Sequence, residues 1–173
     1  QFACDYVKKN FKDVNILIPD KNEDKQIGIT LEHLSVSLQD LNKTFFITLI
    51  DDHSNDNTWS LINELKEKYK NIKVYKNEYE SGFGSAIRFG IEKNDCDALI
   101  IFMGDCSDDP QDIKHYVRYL DQGFDCVFGS RFIKGSKVTK YPPLKLILNR
   151  IANNFIKLLF LTKYNDVTNA FKA

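Results

Sequence analysis

The chain has 173 residues, of which 43% are hydrophobic and 28% are charged, an ordinary composition for one globular domain. Lysine plus arginine and aspartate plus glutamate both number 24, so the net charge gives no argument for binding nucleic acid. No run of about 18 apolar residues is present, so no segment is predicted to span a membrane. The electrostatics that matter for function must therefore be local.

In chain order, the apolar runs and helical spacings predict alternating strands and helices. The predicted elements are strand 14–18, helix 27–41, strand 45–50, helix 59–69, strand 72–75, helix 85–92, strand 98–103, helix 110–120 and strand 126–128. This order implies right-handed crossovers and a mostly parallel sheet covered by helices. We therefore predict an α/β fold with a Rossmann-like sheet.

The ends of the sequence and its cysteines suggest where the protein works. The chain begins at Gln1 without a methionine and ends at Ala173 without a stop signal, so we interpret it as a fragment with a truncated C-terminus.

The cysteines have no CxxC spacing and lie in or beside apolar runs, which favours small, reduced, buried side chains. They are Cys4, Cys96, Cys106 and Cys126. Reduced thiols indicate a cytoplasmic compartment.

Three polar segments, 19–24, 51–58 and 104–109, directly follow predicted strands. Ligands bind beyond the carboxyl ends of strands in such sheets, so we expect these segments at one edge. Carboxylates in segment 51–58 can accept hydrogen bonds from a base or a ribose, and they equally suit a solvated loop with a helix cap. A calcium loop is excluded because Asn57 and Asn63 occupy its glycine and final glutamate positions.

The acidic segment after Met103 contains Asp105, Asp108 and Asp109. Crowded carboxylates repel one another unless a cation offsets the repulsion, and hard oxygen ligands suit Mg²⁺ or Mn²⁺. Asp108 and Asp109 also suit a cap for the helix beginning near Pro110, where acidic groups favour the helix dipole. Asp105, at the strand end, is the candidate metal ligand.

Two further features are, on their own, weak indications of a binding site. Gly82-Phe83-Gly84 indicates close backbone approach but lacks the spacing of a dinucleotide fingerprint. Arg131 follows the last predicted strand, where its planar guanidinium suits a phosphate and equally suits an ordinary surface position. No nucleophile elbow and no Walker sequence is present.

Taken together, five ordered motifs resemble the family 2 glycosyltransferases of the GT-A fold, and among them the dolichol-phosphate mannose synthases and related polyprenyl-phosphate sugar transferases. The motifs are 18–23 (IPDKNE), 50–58 (IDDHSNDNT), 82–86 (GFGSA), 129–132 (GSRF) and 166–172 (DVTNAFK). The resemblance covers nearly the whole chain and implies that residues 1–173 form one catalytic domain.

The resemblance implies a nucleotide site and a metal ligand. The implied nucleotide-binding residues are Pro19, Lys21, Glu23, Asp52 and Gly84. Asp105 matches the second aspartate of the metal-binding Asp-x-Asp, with Ser107 or water completing the protein's share of a Mg²⁺ or Mn²⁺ site. Met103 replaces the first aspartate, and its thioether is a poor ligand for Mg²⁺. Lys21 replaces the nucleoside-stacking tyrosine, which leaves GDP-mannose and UDP-glucose both open as donors.

The resemblance also implies an acceptor site, in which Arg131 holds the acceptor phosphate with help from Lys145 and Asn149. The Gln-x-x-Arg-Trp motif of many sugar-acceptor members is absent. A polyprenyl phosphate is already anionic and needs no general base, so the cations must bring two anions together. The expected reaction is inverting hexosyl transfer from a nucleotide-diphosphate sugar to a polyprenyl or dolichyl phosphate, with Asp105 and Arg131 in the catalytic site.

Segment 144–161 has apolar residues at helical spacing, with Lys145, Arg150 and Lys157 among them. This pattern is typical of a basic amphipathic helix in a membrane interface, and it equally suits a helix packed on its own domain. We expect peripheral contact with the cytoplasmic membrane face. Two alternative functions stay open: transfer to a saccharide hydroxyl, or a non-catalytic nucleotide-sugar-binding module, which Met103 favours.

Overall fold

The computed structural model describes residues 11–133, 135–136 and 142–173. The chain divides into two compact units, of which the first runs to Val127 and includes Ala173 and the second is Phe128–Lys172. The first unit contains a parallel four-stranded sheet with the order β3-β2-β1-β4. Its strands are β1 (Asp13–Asp20), β2 (Thr44–Asp51), β3 (Ile72–Lys76) and β4 (Ala98–Ile101). The predicted α/β class is therefore confirmed.

Among the described residues, four helices belong to the first unit and one to the second. They are α1 (Ile27–Ser37), α2 (Thr58–Lys68), α3 (Phe83–Glu92), α4 (Asp112–Asp121) and α5 (Pro143–Phe160). Helix α1 ends earlier than predicted, because the chain turns after Leu38, whose amide still bonds to the Leu34 carbonyl at 3.0 Å. Leu38 is 1% exposed, so the apolar spacing continues into a buried turn beyond the helix.

The core is built around β1, in which Ile16, Leu17 and Ile18 have no exposed surface. Such an unbroken apolar run is what a strand covered on both faces requires. Helix α3 lies so close to this strand that a Cβ added at Gly90 would be 2.3 Å from Cδ1 of Leu17. The glycine therefore sets how near α3 can approach the sheet.

The predicted fifth strand, 126–128, is wrong. Among the described residues this segment makes antiparallel contacts instead of joining the parallel sheet. In the first unit Val127 and Ala173 exchange two backbone hydrogen bonds of 2.9 Å. In the second unit Phe128 and Lys172 form an isolated antiparallel bridge. The partner lies far along the chain, so the local apolar pattern carried no signal of the pairing.

The expectation of buried cysteines is also wrong for two of the four. Cys106 and Cys126 are exposed, Cys96 is half-buried, and all three are free thiols. Cys4 lies outside the described residues. Cys106 sits in a turn after β4 with a left-handed backbone, φ 59°. Apolar neighbours in sequence therefore did not ensure burial, because the chain leaves the sheet at this point.

Helix α5 presents an exposed apolar face. The side chains on it that are more than half exposed are Leu144, Ile147, Leu148, Ile151, Phe155, Leu158, Leu159 and Phe160. Among its residues, Asn153 is the one that is fully buried. In the described part of the chain, no helix combines the length and hydropathy needed to cross a bilayer. The helix therefore turns Asn153 toward its own unit and leaves its apolar side chains exposed, together with Lys145, Arg150 and Lys157.

Candidate functional site

The loops that follow β1 and β2 are joined at the carboxyl edge of the sheet. The amide of Asp52 donates to the carbonyl of Asp20 at 2.8 Å. The amide of Glu23 donates to Oγ1 of Thr58 at 2.9 Å, so the start of α2 also supports the first loop. Segments 19–24 and 51–58 thus form one continuous surface.

Asp52 is the hydrogen-bonding centre of this surface, although it is only 4% exposed. Its Oδ1 accepts from the Asn77 side chain at 2.7 Å, and its Oδ2 accepts from the Gly82 amide at 2.8 Å. The Ser81 hydroxyl donates to the same Oδ2 at 3.2 Å, and the Lys21 ammonium lies 4.0 Å away. Asp52 therefore holds the loop that leads into α3, and its contact with a nucleoside stays a prediction.

Lys21 places a flexible cation beside Asp52 and Ser81. Its Nζ donates to Oγ of Ser81 at 2.6 Å, and 45% of its side chain is exposed. An ammonium can donate to a base or to a phosphate but offers no flat surface for stacking. Gly84 lies in the first turn of α3, where a Cβ would have open space, and Pro19 is buried near the end of β1. These predicted nucleotide residues share one edge of the sheet.

Asp20 is a buried carboxyl group with no ordinary partner. It is 2% exposed, and neither of its carboxylate oxygens accepts a hydrogen bond of normal geometry within the described residues. Burial raises the pKa of Asp20 to about 7, and the carboxylates of Glu23 and Asp51 add to the shift. The backbone amide of Lys21 acts in the opposite direction. The end of β1 therefore holds a carboxyl group that titrates near neutrality.

The acidic segment after β4 is held by its own side chains. Oδ2 of Asp108 accepts from the Met103 amide at 3.1 Å, which closes the turn onto the strand. Oδ1 of Asp109 accepts from the Gln111 amide at 2.9 Å, just before α4 begins. Asp109 thus bonds within the turn before α4, whose N-cap residue is Gln111 and makes no side-chain capping hydrogen bond, whereas Asp108 binds back toward β4.

Asp105 is exposed, and its Oδ1 accepts from the Ser107 amide at 3.0 Å. Burial raises the pKa of Glu23, and the Asp105 carboxylate raises it further, so the two groups share a region of negative potential. The described residues contain no group of three or more acidic, histidine or cysteine side chains able to hold a metal. Asp105 offers one exposed carboxylate, an oxygen ligand that suits Mg²⁺ or Mn²⁺, and an ion there would have to complete its shell with diphosphate oxygens and water. The metal site therefore stays a prediction.

A pocket of about 290 Å³ opens beside these loops. It is lined by Asp51, His53, Ser54, Asn55, Lys76 and Asn77. None of the predicted nucleotide or metal residues lines it, so we place the candidate site on the open edge rather than in this pocket. His53 adopts the left-handed backbone conformation that glycine favours, φ 58°.

In the second unit, Arg131 is held by Asp166. Its Nε and Nη2 donate to Oδ2 and Oδ1 of Asp166 at 2.8 and 2.6 Å, a bidentate pair, and its backbone amide adds a bond of 2.9 Å. The Asp166 side chain is fully buried. Burial alone would raise the pKa of Asp166, but the hydrogen bonds and charge of Arg131 outweigh it and lower that pKa. The guanidinium is thus fixed in orientation, with a quarter of its side chain exposed.

The structure connects Arg131 to Asn149 through Thr168. Oγ1 of Thr168 accepts from Nη2 of Arg131 at 3.1 Å and donates to Oδ1 of Asn149 at 2.7 Å. The buried Asn153 donates to both Asn149 and Thr168, which ties α5 to this loop. Lys145 is exposed on the same helix. Their role toward an acceptor phosphate stays a prediction.

Sequence reasoning missed several supporting residues. Asn77 and Ser81 hold Asp52 and Lys21, yet nothing marks them in a polar loop. Thr30 is 2% exposed on the buried side of α1, and a hydroxyl within an apolar helical stripe was a usable signal. Asp166 lay inside a quoted motif, and its pairing with Arg131 required the fold.

Comparison with known proteins decides the family. The model for "Glycosyl transferase family 2" matches residues 15–172. The chain belongs to glycosyl transferase family 2. The sequence-based assignment to this family is therefore confirmed, and the match takes in both compact units.

Two curated members of the family are similar in sequence. A dolichol-phosphate mannosyltransferase from Pyrococcus furiosus is 30% identical over 154 residues, which cover 89% of this chain and 43% of that protein. A polyprenol monophosphomannose synthase from Mycolicibacterium smegmatis is 24% identical over 162 residues, 91% of this chain and 60% of that protein. The chain thus spans about half the length of these relatives.

Similarity to a solved structure confirms the GT-A fold. Glucosyl-3-phosphoglycerate synthase from Mycobacterium tuberculosis, in complex with Mn²⁺, UDP-glucose and phosphoglyceric acid, has a TM-score of 0.68 to this chain. The match covers 93% of this chain and 55% of that one, at 17% identity. At this identity the likeness concerns the fold.

Proposed function

We propose that this chain carries the donor and acceptor sites of an inverting glycosyltransferase that moves a hexose from a nucleotide-diphosphate sugar to a polyprenyl phosphate. The observation that carries the proposal is the edge of the sheet where Lys21, Asp52 and the loop before α3 meet in one hydrogen-bonded surface. The names of the two curated relatives support a lipid-phosphate acceptor.

On the donor side, Lys21 and Gly84 border the loop that Asp52 holds, with Pro19 and Glu23 on the neighbouring loop. Lys21 would donate a hydrogen bond to the base or diphosphate, in place of ring stacking. Both GDP-mannose and UDP-glucose stay candidates, because an ammonium donor suits the carbonyl oxygens of either base.

Asp105, with Ser107 in support, would hold Mg²⁺ or Mn²⁺ at the end of β4. When bound, the ion would neutralise the charge of the leaving diphosphate. The Mn²⁺ and UDP-glucose named for the M. tuberculosis structure support this cofactor class. The Asp105 carboxylate would hold the ion from a loop that the hydrogen bond between the Met103 amide and Asp108 keeps in place.

On the acceptor side, Arg131 would bind the polyprenyl phosphate, and Lys145 and Asn149 would assist. An acceptor phosphate oxygen attacks the anomeric carbon, and the bond from that carbon to the diphosphate oxygen breaks. The nucleoside diphosphate leaves with the electron pair, and the configuration inverts. No proton must be removed from the acceptor, so no general base is required.

We also propose that α5 makes peripheral contact with the cytoplasmic face of a membrane. Its apolar face is exposed along the helix, and Lys145, Arg150 and Lys157 supply positive charge for anionic headgroups. A lipid-linked acceptor would be reached from this position.

A thermal-unfolding screen of GDP, UDP, ADP and CDP with and without Mn²⁺ tests the donor site. A nucleotide at a hundredfold excess over its Kd should stabilise the protein by ~2.7 kcal/mol. Asp105→Asn should abolish the gain due to Mn²⁺, whereas Asp40→Asn, an exposed aspartate after α1, should preserve it.

The outcomes separate the candidate functions. Binding of no nucleotide contradicts the donor site, and an unchanged Mn²⁺ effect in Asp105→Asn contradicts the metal ligand. Tight nucleotide binding without product formation from polyprenyl phosphate favours a non-catalytic module. The specific argument for such a module is that Met103 replaces the first aspartate of the Asp-x-Asp motif. Product formed on a saccharide hydroxyl instead would replace the proposed acceptor.

A further inference from the structure

Thr30 is a buried hydroxyl that the proposed function does not use. It lies on α1, is 2% exposed, and its neighbours Ile27 and Leu31 have no exposed surface. Its Oγ1 donates to the carbonyl of Gly104 at 2.8 Å. A helix residue that could have bonded to its own backbone thus reaches the loop after β4 instead.

The bond to Gly104 is one of two contacts that Thr30 makes beside Asp105. The Thr30 oxygen also lies 3.0 Å from Sγ of Cys106, on the other side of Asp105 in the chain. One α1 side chain therefore contacts both residues that flank the predicted metal ligand. Cys106 has a left-handed backbone, φ 59°, so the chain turns sharply between the two contacts.

Gly104 also lies close to β1. A Cβ at Gly104 would lie 2.9 Å from Oδ1 of Asp20 and 3.4 Å from Cγ2 of Ile18. The residue that precedes Asp105 therefore has close neighbours in β1 and a hydrogen bond from the Thr30 hydroxyl.

We infer that Thr30 is a positioning residue for the metal loop: its hydroxyl fixes the Gly104 peptide and thereby the direction in which Asp105 presents its carboxylate. This inference rests on the proposed role of Asp105. A carboxylate that must meet an ion and a diphosphate together gains from being held in place before binding.

The same helix turn also joins the metal loop to the nucleotide loop. The Glu23 carbonyl accepts from the amides of Gln26 and Ile27 at 3.0 and 2.9 Å, which begins α1 directly from segment 19–24. The thiol of Cys106 lies 3.7 Å from the Gln26 carbonyl. Both loops are thus anchored on the first turn of α1, so the affinities for metal and nucleotide should be coupled.

The test compares Thr30→Val, which keeps the shape and removes the hydroxyl, with Thr30→Ser, which keeps the hydroxyl. Mn²⁺ affinity is measured in saturating GDP or UDP from the electron paramagnetic resonance signal of free Mn²⁺. Thr30→Val should weaken Mn²⁺ binding by roughly two- to tenfold, the value of one hydrogen bond, and leave metal-free nucleotide binding unchanged. Thr30→Ser should restore wild-type Mn²⁺ affinity.

Thr48→Val is the matched control for a general loss of stability. Thr48 is a buried threonine of the same unit, 1% exposed, whose hydroxyl donates to Asn15 at 2.9 Å within the sheet. It should lower the melting temperature without changing Mn²⁺ affinity. Two results would overturn the inference about Thr30 and leave the proposed metal site standing. One is equal Mn²⁺ affinity in Thr30→Val and wild type, and the other is the same loss of Mn²⁺ affinity in Thr48→Val as in Thr30→Val. Absence of Mn²⁺ binding in the wild-type protein would overturn the proposed metal site as well.

Discussion

Asp20 makes the stability of the first unit depend on pH. The ordinary pKa of the group is 3.8, and burial at the end of β1 raises it to about 7 in the folded protein. Between these values the folded state keeps a proton that the unfolded state has lost. The contribution of Asp20 to stability is therefore full below about pH 4 and is lost as the pH rises through about 7.

Asp20→Asn should remove this pH dependence, because the amide has nearly the same shape and does not ionise. Relative to wild type, the free energy of unfolding of the variant should rise by up to ~4 kcal/mol between about pH 4 and pH 8. Urea unfolding at a series of pH values measures the difference. Parallel pH profiles for the two proteins would show that Asp20 titrates at its ordinary pKa.

Arg131 is the residue on which the acceptor proposal depends. Arg131→Ala should abolish product formation from polyprenyl phosphate and leave Mn²⁺-dependent nucleotide binding intact. It also leaves the buried Asp166 unpaired, so the assay should be run well below the melting temperature of the variant. Asp166→Asn keeps the guanidinium and serves as a comparison. Equal loss of nucleotide binding in Arg131→Ala would contradict an acceptor role.

Single residues could be located from the sequence more easily than their partners. Asp52 and Asp105 follow strands, and that position alone predicted an edge site. The bonds from Asn77 and Gly82 to Asp52 depend on how the β3–α3 loop folds back, which no local pattern encodes. The hydroxyl of Thr30 within an apolar helical stripe was a usable signal, but its contact with Gly104 could not be predicted, because that partner lies on a loop distant in sequence.

At the scale of elements, the close packing of α3 on β1 gives a sharp test. Gly90→Ala would place a methyl group 2.3 Å from Cδ1 of Leu17, so either the fully buried Leu17 side chain or the helix must shift. We expect a loss of ~1–3 kcal/mol in the free energy of unfolding, which chemical denaturation measures. Gly84→Ala is the control on the same helix, since a Cβ there has open space and better helix propensity should stabilise slightly. Equal effects of the two substitutions would contradict the close approach.

Strands β1, β2 and β4 were predictable as largely apolar runs bounded by polar loops, and β3 as a short segment in which Ile72, Val74 and Tyr75 favour a strand. The predicted strand 126–128 failed because strand pairing is a property of two segments. Phe128 pairs with Lys172 in an antiparallel bridge, and no periodicity within either segment predicts that pairing. The end of α1 was misplaced for a related reason, since Leu38 is buried whether or not it is helical.

For the whole molecule, the exposed face of α5 predicts binding to lipid. The chain should sediment with vesicles that contain anionic lipid, and Leu148→Asn with Ile151→Asn should weaken this binding by about tenfold or more, since two buried apolar side chains are lost. The control replaces Ile29 and Val36 on α1, which are 49% and 62% exposed, with asparagine. Equal binding by both double variants would contradict a role for α5.

The pairing of Val127 with Ala173 has a consequence for how such proteins can change over time. Both residues belong to the first unit, and the 45 residues between them form the second unit. The entropy of closing a loop grows slowly with its length, about 0.6 kcal/mol for each doubling. Insertions or wholesale replacement between these two residues therefore leave the strand register of the sheet intact. Under the proposed function, the acceptor-binding unit, Phe128–Lys172, could therefore diverge in sequence and length during evolution while the donor-binding unit keeps its sheet.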